Sequence, residues 1–157
     1  MRERLSISLT VNGEPFEGEV PVRQNLVDFL RGPLGLTGSH VGCEHGVCGA
    51  CTVAVDGVTV RGCLMLAVQA DGAAITTIEG FAGSPSGAAL QAAFAERNAL
   101  QCGFCTPGML ASALEYVESG RPADRHAIRA HISGNYCRCT GYQPIVDAIC
   151  DVMEAGA

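Results

Sequence analysis

Four cysteines lie close together between Gly42 and Cys63, and thiol groups at this density can bind metal or form disulfides. Gaps of four, two and eleven residues separate Cys43, Cys48, Cys51 and Cys63. Three thiolates from one loop can surround a small inorganic core while a fourth, from a neighbouring element, completes the ligand set. The spacing is compatible with a disulfide framework, a zinc site or an iron–sulfur cluster.

The order of the gaps favours the iron–sulfur cluster. A C-x4-C-x2-C run followed by a more distant cysteine is found in plant-type [2Fe–2S] ferredoxins. The loop is also rich in glycine, which allows positive φ and lets the backbone pass close to a bound group. A four-cysteine zinc site more often has two short pairs of ligands, whereas here the first two gaps share Cys48. Zinc therefore stays open as the less favoured alternative.

Histidines in the same region do not complete a Rieske centre, which needs two of them on one iron. The Cys-Glu-His run at 43–45 has the right beginning, but the residues directly after Cys63 include no histidine. Four thiolates already complete the first site, so His40 and His45 are expected to be loop residues rather than ligands.

A second set of four cysteines lies in the last third of the chain. It consists of a C-x2-C pair and a C-x-C pair: Cys102, Cys105, Cys137 and Cys139. The first pair stands just before an expected helix start at Pro107, where backbone N–H groups and the helix dipole favour thiolates. Two such loops at one end of a helical bundle would bring four sulfurs together. Taken alone, this second set is also compatible with zinc.

Composition limits the classes of function. The 157 residues carry a formal net charge of -6 and no lysine, which argues against a nucleic-acid-binding surface. The N-terminal run alternates polar and apolar residues, so it does not resemble a signal peptide, and no apolar stretch has the length of a membrane span. We therefore expect a cytoplasmic protein. In that reducing compartment, nine cysteines indicate metal binding rather than disulfides.

Two β-hairpins are predicted to frame the first cysteine loop. Residues 5–11 alternate apolar and polar side chains and end at an Asn-Gly dipeptide at 12–13, which is typical of hairpin turns. Residues 14–22 are expected to return as the second strand. Residues 51–60 predict the other hairpin, with its turn at the Asp-Gly dipeptide at 56–57.

The character of the chain changes near residue 80. Before it, Asn25 is expected to cap a short helix, and residues 74–80 supply one more strand. Residues 81–87 are small and rich in Gly, Pro and Ser, which indicates a linker. The chain is therefore predicted to contain a β-rich domain at 1–79 and an all-helical domain at 80–157.

Four helices are predicted in the second domain, over residues 87–100, 106–120, 122–133 and 143–156. The second of them is expected to use Thr106 as its N-cap, with Pro107 at the first helical position. Cys150 lies on the apolar stripe of the last helix. We therefore expect Cys150 to be a buried small hydrophobic residue and not a metal ligand.

In this order, the two cysteine sets resemble the small iron–sulfur subunit of the molybdenum hydroxylases, the family of xanthine dehydrogenase, aldehyde oxidase and aerobic carbon monoxide dehydrogenase. The matching segments lie between residues 42 and 146 and are GCEHGVCGACTV, the partner Cys63, ALQCGFCTPGM and NYCRCTGYQPIV. The resemblance implies an α+β chain, with an N-terminal plant-type ferredoxin-like (β-grasp) domain followed by a C-terminal four-helix-bundle-like domain.

The resemblance also implies roles for individual residues. The first cysteine set would hold the [2Fe–2S] cluster nearer the flavin, and the second set would hold the cluster nearer molybdenum. Gln101 matches a position whose side-chain amide contacts molybdopterin in the family. The residues between the first two cysteines, 44–47, differ from those typical of the aerobic carbon monoxide dehydrogenases, which weakens a carbon monoxide assignment.

In this family the chain would be the electron-transfer subunit of an oxidoreductase and would break no substrate bonds itself. It would pass single electrons from a molybdopterin centre, expected as the cytosine dinucleotide, through two [2Fe–2S] clusters to FAD. A large molybdopterin-binding subunit and a medium FAD-binding subunit would be its partners, in a dimer of heterotrimers. No Gly-x-Gly-x-x-Gly run or phosphate loop occurs in the sequence, so FAD is expected on a partner.

Two alternatives of other classes stay open. A diffusible ferredoxin-like electron carrier would need only the first cysteine set, and the helical half with its own thiols argues against it. A zinc-binding interaction module would explain the cysteines without redox chemistry and is the less favoured of the two.

Overall fold

A computed structural model describes residues 3–156, which form one five-stranded sheet and six α-helices. The strands are β1 (Arg4–Val11), β2 (Glu14–Pro21), β3 (Thr52–Val55), β4 (Val58–Arg61) and β5 (Ala74–Thr76). The helices are α1 (Leu26–Arg31), α2 (Ile78–Phe81), α3 (Pro85–Glu96), α4 (Thr106–Glu118), α5 (Arg125–Ile132) and α6 (Gln143–Ala155), and a 3₁₀ helix covers Ala67–Ala70. Within residues 3–156, no helix is both long enough and apolar enough to cross a membrane.

The sheet is mixed, with the strand order β2-β1-β5-β3-β4. Strand β1 pairs antiparallel with β2 and parallel with β5, and β3 pairs antiparallel with β4 and with β5. Both predicted hairpins are confirmed. Asn12 and Gly13 have φ of 54° and 86°, and Asp56 and Gly57 have φ of 50° and 80°. Two consecutive residues at positive φ match the right-handed twist of paired strands, which explains the Asn-Gly and Asp-Gly sequences.

The core of the β-rich half lies between the sheet and α1. Ile7, Leu9 and Val11 are buried on one face of β1, as their alternation predicts, and they pack with apolar residues of α1. Leu5 has the same phase but is 49% exposed. Leu5 lies at the end of β1 that β5 does not reach, since β5 pairs only with the last two residues of β1.

The second core belongs to the helical half, where α3, α4, α5 and α6 pack around buried residues such as Leu90, Met109 and Ile149. Helix α4 also packs against β3 and β4. It therefore belongs to the helical core and at the same time lies against the sheet, which places its N-terminus beside the loop that precedes β3.

The predicted linker at 81–87 is wrong, because most of this segment is helical. Phe81 ends α2 and is buried in the helical core. Ser84 then caps α3, since its Oγ accepts a hydrogen bond from the Gly87 N–H at 3.0 Å, and Pro85 begins the helix. Ser followed by Pro is a helix-start sequence as well as a loop sequence, and packing against the helical core selects the helix.

The N-cap of α1 gives a test of local folding. Asn25 Oδ1 accepts a hydrogen bond from the Asp28 N–H at 2.8 Å, as predicted for a cap. Asn25→Ala should lower the free energy of unfolding by about 1 kcal/mol, because the first turn loses its side-chain acceptor. Asn25→Ser should retain most of the stability, since serine caps comparably. Urea unfolding of both variants checks this, and an equal loss in both would contradict the role of the cap.

Candidate metal centres

The first cysteine loop, residues 42–51, has neither helix nor strand and is folded tightly back on itself. Glu44, Gly46 and Gly49 have positive φ values of 58°, 81° and 75°. At Gly46 a Cβ atom would lie 2.3 Å from Leu64 Cδ1, so a side chain there would collide with the chain that follows β4. The glycines therefore permit the tight turns of the loop and its close approach to Leu64.

The Cys43 thiol is surrounded by backbone N–H groups of its own loop. The Cys48 N–H donates to Cys43 Sγ with an N–S distance of 3.4 Å. Hydrogen bonds from the N–H of Cys48 and then of His45 lower the pKa of Cys43 to about 6. Such donors favour the thiolate, which is the form that binds metal. Cys43 and Cys48 thus form the first thiol pair.

Cys51 and Cys63 form the second pair, at the ends of the hairpin β3–β4. The Gly62 N–H donates to the Cys51 carbonyl at 3.1 Å, which continues the ladder and places Cys63 next to Cys51. Burial raises the pKa of Cys51 to about 11, and the nearby Cys63 thiol contributes to the increase. Burial thus disfavours the Cys51 thiolate, and the positive charge of a metal centre would favour it.

Cys102 and Cys139 form the third pair. Their sulfur atoms are 3.6 Å apart, both thiols are free and both residues are exposed. Gly103, at φ of 79°, turns the chain directly after Cys102. Gln101 Nε2 donates to the Cys139 carbonyl at 3.0 Å, so this exposed side chain ties the two cysteine segments of the helical half together.

Cys105 and Cys137 form the fourth pair, on the inner side of the third. Burial raises the pKa of Cys105 to about 12, and the adjacent Cys137 thiol contributes to the increase. Burial acts to raise the pKa of Cys137 as well, but hydrogen bonds from Thr140, from the Cys139 N–H and from the Cys105 thiol together outweigh it and lower the pKa of Cys137. The Thr140 hydroxyl lies 3.1 Å from Cys137 Sγ. The surroundings of Cys137 therefore favour its thiolate, whereas Cys105 would need a nearby positive charge to lose its proton.

Thr106 does not have the predicted N-cap role. Helix α4 begins at Thr106 itself, and Cys105 is the N-cap residue, with its backbone in the right-handed helical region and no side-chain cap hydrogen bond. Thr106 Oγ1 is buried and has no hydrogen-bond partner within residues 3–156. A buried hydroxyl without a partner is uncommon and calls for an acceptor. An inorganic sulfide or thiolate beside Cys105 would supply one, so the residues present fit an iron–sulfur group.

The eight thiols of the two predicted sets therefore meet as four pairs. Within residues 3–156, no three Cys, His, Asp or Glu side chains converge as a single metal ion would require. A [2Fe–2S] core contains two irons, and a pair of ligands on each iron suits this arrangement. His40 and His45 lie in loops, as predicted. His45 Nδ1 is within hydrogen-bond distance of the Cys43 carbonyl, and His40 Nδ1 is 2.8 Å from the Phe104 carbonyl.

Polar residues between the two sites were not predicted. Asn135, which is only 2% exposed, donates to the Gly49 carbonyl of the first cysteine loop. Arg61, in β4, donates to the Gly134 carbonyl and so connects the sheet with the segment before Cys137. Their positions, two residues before Cys137 and two before Cys63, could have marked them as candidates. Their partners lie far away along the chain, however, and no local pattern identifies such partners.

Two family models match consecutive parts of the chain. A 2Fe-2S iron-sulfur cluster binding domain matches residues 9–75, and a [2Fe-2S] binding domain matches residues 77–150. With the two sets of paired thiols, these matches define the class: an iron–sulfur protein that carries two [2Fe–2S] clusters.

Relatives along nearly the whole chain are more specific. The gamma subunit of caffeine dehydrogenase from Pseudomonas sp. (strain CBB1) is 57% identical over 150 residues, which cover 91% of this chain and 87% of that protein. The iron-sulfur-binding subunit of xanthine dehydrogenase from Escherichia coli O157:H7 is 42% identical, with 95% and 94% covered. The crystal structure of quinoline 2-oxidoreductase from Pseudomonas putida 86 matches with a TM-score of 0.90 at 50% identity, covering 97% and 95% of the two chains.

The chain belongs to the small iron–sulfur subunits of the molybdenum hydroxylase family, as its two cysteine sets predicted. It is an electron-transfer subunit of an oxidoreductase. The substrate chemistry of such an enzyme takes place on another subunit, and this chain contributes redox groups and their protein environment.

The ninth cysteine gives a negative control for metal binding. Cys150 is buried in the helical core, which confirms the predicted packing role. Cys150→Ala should lower the free energy of unfolding by about 1 kcal/mol, because a buried sulfur atom is lost, and should leave the iron content unchanged. Cys150→Ser should be at least as destabilising, since it buries a hydroxyl group. Iron analysis and urea unfolding test this, and loss of iron from either variant would contradict a packing role.

Proposed function

We propose that the four thiol pairs are the ligands of the two [2Fe–2S] clusters, with each pair on one iron. The cluster of the β-rich half would be held by Cys43 with Cys48 and by Cys51 with Cys63. The cluster of the helical half would be held by Cys102 with Cys139 and by Cys105 with Cys137. The pairing itself is the observation that carries this proposal, because a two-iron core needs two ligands on each metal.

The clusters supply one-electron chemistry, and the surrounding residues set the conditions for it. Backbone N–H groups directed at Cys43 Sγ stabilise negative charge on that sulfur. In the helical half, the Thr140 hydroxyl does the same for Cys137, and the N-terminus of α4 lies beside Cys105. Hydrogen bonds to cluster ligands are one of the means by which proteins adjust reduction potentials.

The thiol site of the helical half has an exposed side and a more buried side. Cys102 and Cys139 are exposed, whereas their partner thiols, Cys105 and Cys137, are more buried. Gln101 lies beside the exposed pair, bound to the Cys139 carbonyl. We propose that this end faces the molybdopterin and that the Gln101 amide contacts it. The cluster of the β-rich half would then be the one nearer the flavin.

The partners follow from the family. The caffeine dehydrogenase relative is named a gamma subunit and the xanthine dehydrogenase relative an iron-sulfur-binding subunit, so both belong to enzymes of several chains. We propose a large subunit with molybdopterin, as the cytosine dinucleotide, and a medium subunit with FAD, assembled as a dimer of heterotrimers in the cytoplasm. Electrons would pass singly from molybdenum through the two clusters to FAD.

The domain architecture is part of the same proposal. Residues 1–79 would form a ferredoxin-like β-grasp domain, supported by the mixed sheet with parallel β1 and β5 and by α1 packed against it. Residues 80–157 would form a four-helix-bundle-like domain, supported by the common core of α3 to α6. The proposed boundary lies inside the short helix α2.

Metal analysis of the complex, purified gently from its native host, tests the assignment. We expect about four irons and about one molybdenum for each small chain, because two [2Fe–2S] clusters would serve one molybdenum centre. Two irons without molybdenum would instead indicate a one-cluster carrier. Zinc in place of iron would overturn the electron-transfer function altogether.

The ligand sets can be separated by one substitution in each half. Cys48→Ser should remove or alter the spectrum of the β-half cluster and leave the other cluster largely intact, and Cys139→Ser should do the converse. The reason is that oxygen is a poor substitute for a thiolate on iron, whereas the other site keeps its four thiols. Electron paramagnetic resonance of the dithionite-reduced complex distinguishes the two clusters. Unaltered spectra for both variants would show that the ligand assignment is wrong.

A further inference from the structure

The two cysteine loops are in direct contact, although they are far apart in the sequence. The Tyr136 N–H donates to the Cys48 carbonyl at 2.8 Å. Tyr136 immediately precedes Cys137, so this hydrogen bond joins the backbone of a thiol-bearing residue in one half to the residue adjacent to a thiol in the other. This backbone hydrogen bond joins the two cysteine loops directly.

The side chain of Asn135 holds this contact in place. Asn135 is 2% exposed, and its amide forms three hydrogen bonds. Oδ1 accepts from Ser112 Oγ at 2.8 Å, which anchors the amide to α4. Nδ2 donates to the Gly49 carbonyl at 3.1 Å and to Thr52 Oγ1 at 3.3 Å, both on the other side of the contact.

Glycines make this approach possible. A Cβ atom at Gly49 would lie 2.7 Å from Asn135 Nδ2 and from the Gly134 carbonyl oxygen. A Cβ atom at Gly108, in the first turn of α4, would lie 2.1 Å from the Gly49 carbonyl oxygen. The backbone at Gly49 therefore lies between Gly108 of α4 and Asn135. Gly108 is three residues after Cys105 and Asn135 is two residues before Cys137, so both contacts are close to thiols of the helical half.

We infer that Asn135 is a positioning residue that fixes the separation of the two clusters and thereby sets the rate of electron transfer between them. The inference rests on the proposed function of the four thiol pairs. With both clusters bound, one electron would pass from the cluster held by the helical half to the cluster held by the β-rich half. The first would be oxidised by one electron and the second reduced by one, with no bond made or broken.

The physical basis is the buried, uncharged amide. A buried hydrogen-bond network specifies one arrangement when all its members are satisfied, and removing a member leaves the others without partners. Without Asn135, the buried Ser112 hydroxyl loses its acceptor. The Gly49 carbonyl loses the one donor that reaches it from the helical half and keeps only the N–H and hydroxyl of Thr52, on its own side of the contact. Electron tunnelling weakens steeply as bonded contact gives way to open space, so a small separation of the loops slows the transfer.

The test compares Asn135→Ala with two other variants in the assembled complex. Thr52→Val keeps the shape of the side chain and removes the hydroxyl that Asn135 contacts. That hydroxyl also donates to the Gly49 carbonyl at 2.6 Å and accepts from Arg61, so the variant perturbs the same network from the side of the first cysteine loop. Leu90→Ala opens a cavity in the helical core, on α3, and serves as the control for general destabilisation. Iron content is measured first, so that cluster loss is separated from altered positioning.

Two readouts besides activity report on the contact. Amide hydrogen exchange at Tyr136 should be at least tenfold faster in Asn135→Ala, severalfold faster in Thr52→Val and unchanged in Leu90→Ala. The magnetic splitting between the two reduced clusters, measured by low-temperature electron paramagnetic resonance, should decrease in the same order. The rate of electron transfer between the clusters, measured after rapid reduction at molybdenum, should fall several-fold in Asn135→Ala with both clusters present.

The outcomes separate this inference from the function on which it rests. If the wild-type complex lacks two clusters for each small chain, the proposed function fails. If both clusters are present but Asn135→Ala retains wild-type exchange at Tyr136 and wild-type splitting, Asn135 is not a positioning residue. If the Asn135→Ala complex does not assemble, Thr52→Val takes its place, and wild-type exchange at Tyr136 together with wild-type splitting in that variant would overturn the inference. Equal changes in Leu90→Ala would assign the effect to lost stability and overturn the inference.

Discussion

Mutual repulsion of closely spaced thiolates is the constraint on which the structure depends. Each half brings four thiols together, and the fold supplies only part of the charge compensation. Backbone N–H groups lower the pKa of Cys43, and Thr140 lowers that of Cys137, whereas burial raises the pKa of Cys51 and of Cys105. The buried thiols can all be deprotonated only beside a strong positive charge, so the ligand loops and the metal stabilise each other.

This constraint explains why the loops have the conformation they do and why the two halves meet where they do. N–H groups can converge on a sulfur only if the chain reverses within a few residues, which requires positive φ at Gly46 and Gly49. The same lack of a side chain at Gly49 lets α4 and Asn135 approach its carbonyl. Helix α4 adds a further tie, since Glu115 accepts a hydrogen bond from the Thr59 N–H at 2.8 Å. Binding the metal and joining the halves thus depend on the same backbone.

Features that depend on neighbours in sequence were predictable, and features that depend on distant neighbours were not. The turn at Asn12-Gly13 and the cap at Asn25 are determined by local backbone geometry, and the cysteine sets by the spacing of ligands along a loop. The helix start at Ser84-Pro85 was read as a linker, because the burial of Phe81 in the helical core cannot be seen locally. Asn135 was missed for the same reason, since Gly49 and Thr52 lie more than eighty residues away.

The distribution of exposed apolar side chains bears on how the chain works. Among residues 3–156, six of the eight large hydrophobic residues that are exposed lie within three positions of a paired cysteine: Val47, Leu64, Leu66, Leu100, Phe104 and Tyr136. Single exposed hydrophobic residues are ordinary, but their concentration beside both thiol sites is characteristic of surfaces that other proteins cover. A diffusible carrier would expose these side chains to water at the places where electrons enter and leave. A subunit covered by partners at both ends would bury them, and water would be excluded from the path of the electrons.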